Sequence, residues 1–259
     1  MKAAEMFSLQ GRVALVTGAS SGLGTQFAEA LADNGAAVAL VARRAERLAG
    51  VKQAIEAAGG RAIAIEADVT DRAAVARAFD AAEKAFGTVT ILVNNAGIAQ
   101  SSTRAVEVTP EEWRKVLGLD LDAVFYNAQE AARRMLAAGK KGAIVNIASV
   151  LGFGVSKGVA AYATAKAAVV QMTKALGVEL AFKGVRVNAI APGWFVTEIN
   201  DKYLMGEAGD ALKRAIPMGR FGNAGDLDGA LLLLTSDAGS YITGATIVVD
   251  GGQVVMISG

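Results

Sequence analysis

The amino-acid sequence reads as an α/β protein in which helices cover both faces of one doubly wound, seven-stranded parallel sheet. Three observations lead there. Short β-branched apolar runs alternate with longer Ala-rich stretches whose apolar positions recur at helical spacing, the pattern of strands buried beneath helices on either side. A glycine-rich turn joins the first such run to the first helical stretch. Of the 259 residues, 53% are hydrophobic and 20% charged, which supplies a large apolar interior and excludes a disordered chain.

In chain order, strands are expected at residues 12–17, 37–42, 61–66, 90–94, 143–148, 185–190 and 246–249, with helices between them. No Pro- or Ser-rich linker, charge block or repeat intervenes, so residues 1–259 read as a single domain. The first strand runs into Thr17-Gly18-Ala19-Ser20-Ser21-Gly22-Leu23-Gly24, and an Ala-rich helix is expected from about residue 25 to 34. A pyrophosphate needs backbone N–H groups at a helix N-terminus with no side chain in the way, and Gly18, Gly22 and Gly24 permit that approach. The second strand ends at Ala42, where NAD-binding folds of this kind present a carboxylate to the ribose hydroxyls. Arg43 and Arg44 follow instead, and a guanidinium suits a 2′-phosphate because it is permanently charged and donates two parallel hydrogen bonds. The expected dinucleotide is therefore NADP(H), with NAD(H) second.

Asp68-Val69 follows the third strand, Asn94-Asn95-Ala96-Gly97 the fourth, and Pro192-Gly193 the sixth, with Thr197 five residues past the proline. Taken singly, these are also ordinary turns, and Asp68, Thr70 and Asp71 are also helix caps. Residues 194–222 mix charge, Gly and Met without a strand pattern and lie beyond a strand end, where ligands bind in open sheets, so they read as a substrate lid.

Composition narrows the chemistry. The chain has neither Cys nor His, which removes thiol nucleophiles, disulfides, thiolate or imidazole metal sites, and any Ser-His-Asp hydrolase. Acid/base work falls to Tyr, Lys, Asp or Glu. With 26 Lys plus Arg against 25 Asp plus Glu, nothing draws the chain to nucleic acid or anionic lipid. No apolar run approaches the roughly 18 residues of a membrane span, and residues 1–10 lack the apolar stretch of a signal peptide, so a cytoplasmic location is expected.

Tyr162-Ala163-Thr164-Ala165-Lys166 puts a phenol and an ammonium one helical turn apart, and Ser149 ends the fifth strand 13 residues before Tyr162. A ketone that accepts hydride at carbon needs a proton at oxygen. A phenol, with an ordinary pKa of about 10, delivers one near neutrality only beside a positive charge. Lys166 supplies that charge, and Ser149 can hold the substrate oxygen.

With the Thr-Gly-x-x-x-Gly-x-Gly of residues 17–24, these motifs fall in an order that resembles the short-chain dehydrogenase/reductase family over nearly the whole chain. The likeness is to NADP-preferring carbonyl reductases and 3-oxoacyl-(acyl carrier protein) reductases. It implies a Rossmann-type fold with Ser149, Tyr162 and Lys166 catalytic, Tyr162 and Lys166 also contacting the cofactor and Lys166 binding the nicotinamide ribose. It further implies cofactor contacts from Gly18, Ser20, Ser21, Gly22, Leu23, Gly24, Arg43 and Arg44. Asp68 and Val69 would lie at the adenine, Asn95, Ala96 and Gly97 beside the cofactor, and Pro192, Gly193, Phe195 and Thr197 near the carboxamide. In one respect the chain departs from the family: Asp120, in Leu119-Asp120-Leu121, stands where the family has an Asn that supports a helix kink and a water-linked path from the lysine. An aspartate there cannot donate unless protonated.

By position, Ile98, Val150, Leu151, Val155, Trp194 and Phe195 line an apolar pocket for a small carbonyl or alcohol substrate, and no metal is expected. The helix holding Ala161, Ala165, Ala168, Val169 and Met172 and the stretch at residues 124–132 are apolar on more than one side. The resemblance implies that they pair between subunits of a homotetramer or homodimer, with residues 246–252 as a second contact. Reduction of a 3-oxoacyl group on acyl carrier protein is the alternative. It asks for basic residues around the cleft, and Arg134 fits where Val178 does not. A dinucleotide-binding sensor without turnover is the reading from another class, motivated by Asp120 alone.

Overall fold

Seven strands, β1 (Val13–Thr17), β2 (Ala37–Ala42), β3 (Arg61–Glu66), β4 (Ile91–Asn94), β5 (Gly142–Ile147), β6 (Val185–Pro192) and β7 (Thr246–Val249), form one sheet in the order β3-β2-β1-β4-β5-β6-β7. Every pairing is parallel. The computed structural model describes residues 2–100, 102–198, 201–204 and 206–256. β2, β3 and β7 have the expected bounds. β1 and β4 begin one residue later than expected, β5 sits one residue earlier, and β6 runs on to Pro192 because β7 pairs with residues 189–192.

The helices are α1 (Ala3–Met6), α2 (Gly22–Asp33), α3 (Ala45–Ala57), α4 (Arg72–Phe86), α5 (Pro110–Leu117), α6 (Ala123–Ala137), α7 (Ala160–Ala181), α8 (Asp201–Leu204), α9 (Glu207–Arg214) and α10 (Asp228–Thr235). Alternate strand residues feed opposite cores. Ala14, Val16, Val38 and Leu40 pack with Phe27 and Leu31 of α2, Leu48 of α3 and Leu231 of α10. Val13, Leu15, Ala39 and Val41 pack on the other face with Phe79 of α4 and Met135 of α6. Burial on both faces is why the central strands are continuous apolar runs with no polar alternation.

Strand order reverses between β1 and β4: the chain steps outward through β2 and β3, then returns to the other side of β1. The loops leaving these two strands diverge and open a crevice at the carboxyl edge of the sheet, the place where ligands bind in such sheets. The glycine turn leaves β1 and Asn95-Ala96-Gly97 leaves β4, so both motifs stand at that crevice.

Candidate active site

The turn after β1 is tied to the loop after β4 by side chains. Thr17 Oγ1 accepts from the N–H groups of Asn95 and Ala96, each at 3.0 Å, and Asn95 Nδ2 donates to Thr17 O and Gly18 O. Gly18 has φ +67°, and a Cβ there would lie 2.8 Å from Asn95 Nδ2. A Cβ at Gly24 would overlap Gly18 O. Internal packing alone thus demands glycine at 18 and 24. Gly22, with φ +56°, opens α2 three residues earlier than expected. Among the described residues, a Cβ built there has only the Thr197 side chain nearby, at 3.4 Å, so the first turn of α2 presents bare backbone toward Thr197. Its N–H groups are free of intrahelical partners and favour an anionic ligand.

Arg44 leans back over this turn. Its guanidinium donates to Ser20 Oγ at 3.0 Å and Ser21 Oγ at 2.6 Å, which brings three of the expected cofactor-binding residues together. Asp68 Oδ1 accepts from the N–H and hydroxyl of Thr70. These bonds, with a smaller contribution from the Arg43 charge, hold the Asp68 carboxyl below its ordinary range. Asp71, not Asp68, caps α4, accepting from Ala73 N. Val69 is buried beside Asp68. These groups fit a phosphorylated dinucleotide: donors from the backbone at a helix N-terminus, two serine hydroxyls and two guanidinium groups, with one accepting carboxylate at the far end.

Ser149 follows β5 and Tyr162 and Lys166 lie in the first turns of α7, so strand end and helix meet at the same edge. Ser149 is buried, its Oγ accepting from Leu151 N as it starts a short 3-10 turn at Val150–Gly152. The Lys166 ammonium lies 5.4 Å from the centre of the Tyr162 ring and donates to Ile147 O at 3.0 Å. Lys166 is also paired with Asp120, Nζ to Oδ1 3.0 Å, and Asp120 is fully buried. Burial works against the ammonium, but Tyr162 and Asp120 hold Lys166 above the ordinary lysine range.

Asp120 reaches the lysine because the long helix before β5 is interrupted. Residues Gly118–Asp122 form a π turn between α5 and α6, closed by Ala123 N donating to Gly118 O. Such a turn inserts a residue and swings it off the helix face. Ile98 N donates to Asp120 Oδ2 at 3.2 Å, tying the β4 loop to the turn.

Two contributions to the site are not legible in the sequence. Gln100 Oε1 accepts from Tyr162 N, and its Nε2 donates to Glu112 Oε1, which also accepts from Thr103 Oγ1. A glutamine in a loop has no sequence signature for such a role. Thr17 lay inside the glycine motif, but its hydroxyl contacts required the β4 loop to be in place.

Beyond β6, Gly193 N donates to Val249 O, so Pro192-Gly193 is held by the edge strand. Phe195 is buried, paired with Gly222, and a Cβ at 222 would overlap its ring, which leaves Phe195 mostly to packing. Val155 is 89% exposed, and Ile98 and Leu151 are half-buried. Of the segment at 194–222, residues 199, 200 and 205 lie outside the described residues. The rest has its own small core of Leu204, Ile216 and Phe221, with Trp194, Val196 and Leu212 around it. A hollow of about 410 Å³ lined by Trp194, Phe195, Met218 and Arg220 opens there, and Ser149, Tyr162 and Lys166 are not among its walls.

Arg134, the basic residue singled out for an acidic partner, is committed within the chain: its guanidinium pairs with Asp80, Glu83 and Glu130, each at 2.7 or 2.8 Å. No helix among the described residues is long and apolar enough to cross a membrane, and no described group of acidic side chains could hold a metal.

A parallel sheet of this order, with a glycine turn at its reversal point and a Ser, Tyr and Lys gathered at its carboxyl edge, defines a nucleotide-dependent α/β enzyme class. A family profile described as enoyl-(acyl carrier protein) reductase matches residues 18–253, and the chain belongs to the short-chain dehydrogenase/reductase family. It is 39% identical over 254 residues to a gluconate 5-dehydrogenase of Gluconobacter oxydans, covering 98% of each chain. To an NADP-dependent (R)-specific alcohol dehydrogenase of Lentilactobacillus kefiri it is 37% identical, covering 94% of this chain and 97% of the other. The crystal structure of a gluconate 5-dehydrogenase from Burkholderia cenocepacia, in complex with NADP and tartrate, superposes with a TM-score of 0.93 at 36% identity, covering 99% of this chain and 100% of that one.

Proposed function

We propose that the protein is an NADPH-dependent carbonyl reductase, reversible as an alcohol dehydrogenase, acting on a small, largely apolar ketone. The observation that carries this reading is the placement of Lys166 Nζ 5.4 Å from the Tyr162 ring, at the strand edge that also ends in Ser149. The NADP bound in the Burkholderia relative and the NADP dependence of the Lentilactobacillus relative support the cofactor, as does Arg44 over Ser20 and Ser21.

When bound, NADPH supplies the hydride that goes to the carbonyl carbon. Ser149 Oγ donates to the substrate oxygen and holds it within reach of the phenol. Tyr162 gives its proton to that oxygen as negative charge develops, and Lys166 stabilises the phenolate that remains. In the reverse direction Tyr162, as phenolate, takes the alcohol proton. Ser20, Ser21, Arg43 and Arg44 would hold the ribose phosphate, and Asp68 the adenine.

The segment at 194–222, with its own apolar core, would close as a unit and exclude water from the transfer. Subunits would pair through α6 and α7 into a homodimer or homotetramer, the exposed Val178 of α7 and Phe182 at its C-cap supplying the contact with Tyr126 of α6.

The test is oxidation of NADPH and, separately, NADH across a panel of ketones by wild type and Tyr162→Phe. Turnover with NADPH over NADH is expected, and Tyr162→Phe should lose about 10²–10⁴-fold, the contribution of a positioned general acid, with NADPH affinity unchanged within threefold or so. A Tyr162→Phe protein that turns over like wild type would overturn the reading.

A further inference from the structure

The carboxylate of Asp120 is an expensive group to bury. It has no solvent contact, Oδ2 accepts from Ile98 N at 3.2 Å, and Oδ1 accepts no hydrogen bond of good geometry beyond its ion pair with Lys166 at 3.0 Å. An amide would satisfy Ile98 N equally well through its own oxygen. What the carboxylate adds is a negative charge, delivered by the π turn to the buried ammonium that faces Tyr162. The phenol therefore faces an ion pair and not a lone cation. A cation favours phenolate, and an anion bound to that cation offsets the effect.

We infer that Asp120 is a positioning residue for the proton transfer: it fixes the Lys166 ammonium against Ile147 O and offsets that charge at the Tyr162 oxygen, keeping the phenol protonated to higher pH than a neutral side chain at 120 would. The inference rests on the reading of Tyr162 as the proton donor. Its functional meaning is a bias toward carbonyl reduction, which needs the phenol, over alcohol oxidation, which needs the phenolate.

Among the described residues no other charge competes for this role. On α7 the ionisable neighbour is Tyr162 itself, and Lys174 and Glu179 further along are exposed. In the π turn Asp122 is exposed. From α5, Glu111, Arg114 and Lys115 stand in solvent, and Glu112 is taken by Gln100 and Thr103. On α6, Arg133 is exposed and Arg134 is bound to Asp80, Glu83 and Glu130. Arg186 of β6 donates to Leu234 O and Ser236 O at the opposite end of its strand, and β4, β5 and the 3-10 turn at Val150–Gly152 hold no ionisable side chain. Geometry fixes the sign of the effect: the Asp120 carboxylate sits 3.0 Å from the ammonium that faces the Tyr162 ring, so a neutral side chain at 120 leaves an uncompensated cation beside the phenol.

The experiment reads the phenol directly in the protein without substrate or cofactor. Near-ultraviolet tyrosinate absorbance is titrated in wild type and in Asp120→Asn, with the same titration of Tyr162→Phe and of the double variant subtracted to isolate Tyr162 from the other three tyrosines. Asp120→Asn should bring the phenolate signal in at a pH lower by about one unit, a tenfold change in the phenol–phenolate ratio. The acid limb of alcohol oxidation should move the same way by the same amount. Asp120→Ser, neutral and smaller, should repeat the direction and decides the matter if the asparagine variant does not fold. A phenolate curve that coincides with wild type, or moves to higher pH, in a folded neutral variant overturns the inference. Failure of the reductase reading shows separately, as turnover that ignores Tyr162→Phe, and leaves the absorbance titration readable.

Discussion

Arg44 is the residue through which cofactor choice would be exercised. A guanidinium that donates to Ser20 Oγ and Ser21 Oγ is already turned over the first turn of α2, so a ribose phosphate arriving there meets an oriented donor with two serine hydroxyls beside it. A charged hydrogen bond of this kind contributes about 1.5–3 kcal/mol. Arg44→Ala should therefore weaken NADPH binding by about 10- to 100-fold while changing NADH binding by less than about threefold, measured by calorimetric titration of both. Equal losses for the two cofactors would mean that Arg44 acts on the fold of the turn and not on the phosphate. Both arginines could be read from the sequence, because a missing carboxylate after the second strand is a local signal. The Ser20 and Ser21 contacts could not, since they depend on where the 43–44 corner lands after two strands have paired.

Elements explain where sequence reading succeeded. Strand runs and the Ala-rich helices follow from local periodicity, so the seven strands were legible to within one or two residues. The long helix before β5 was legible as a helix and its interruption was not: Gly118–Asp122 contains no proline, and its π turn is stabilised by what it packs against, the buried Asp120 with Lys166 and Ile98. A helix-interior glycine marks another such tertiary demand. Gly177, deep in α7, costs about 1 kcal/mol relative to alanine by helix propensity alone. Its position is explained by the turn before β7, since a Cβ at 177 would lie 2.6 Å from Gly244 N, and Thr243 Oγ1 donates to Gly177 O at 3.3 Å. Gly177→Ala must therefore push α7 off the β7 side of the sheet. It should destabilise the protein by about 1–3 kcal/mol in urea unfolding, against the gain that helix propensity alone would give. A stabilised variant would show that this contact gives way freely.

How the subunit meets its surroundings is decided by what its own core leaves uncovered. Ala161, Ala165 and Val169 of α7, apolar positions that could have served a subunit contact, are buried within the chain, so they demand no partner. Val178 and Phe182 are different: one turn apart, on the last turn of α7 and at its C-cap, they are 80% and 93% exposed. Tyr126 and Leu136 of α6 are also exposed, though less fully. Among the described residues, β7 at the sheet edge has a neighbour on one side only, and its four residues are all half-buried, an open edge of the kind proteins usually protect. The formal net charge of +1 offers almost no long-range repulsion between copies. Self-association through α7, as proposed, would remove Val178 and Phe182 from water in each subunit, and at about 1.5–3 kcal/mol for each large side chain fully buried they would be large contributors for their number. Val178→Lys with Phe182→Lys should therefore shift sedimentation of the protein to a smaller species at micromolar concentration, with circular dichroism unchanged because neither side chain belongs to the monomer core. Wild type that sediments as a monomer throughout would remove α7 as an interface and leave its exposed phenylalanine without a role in assembly.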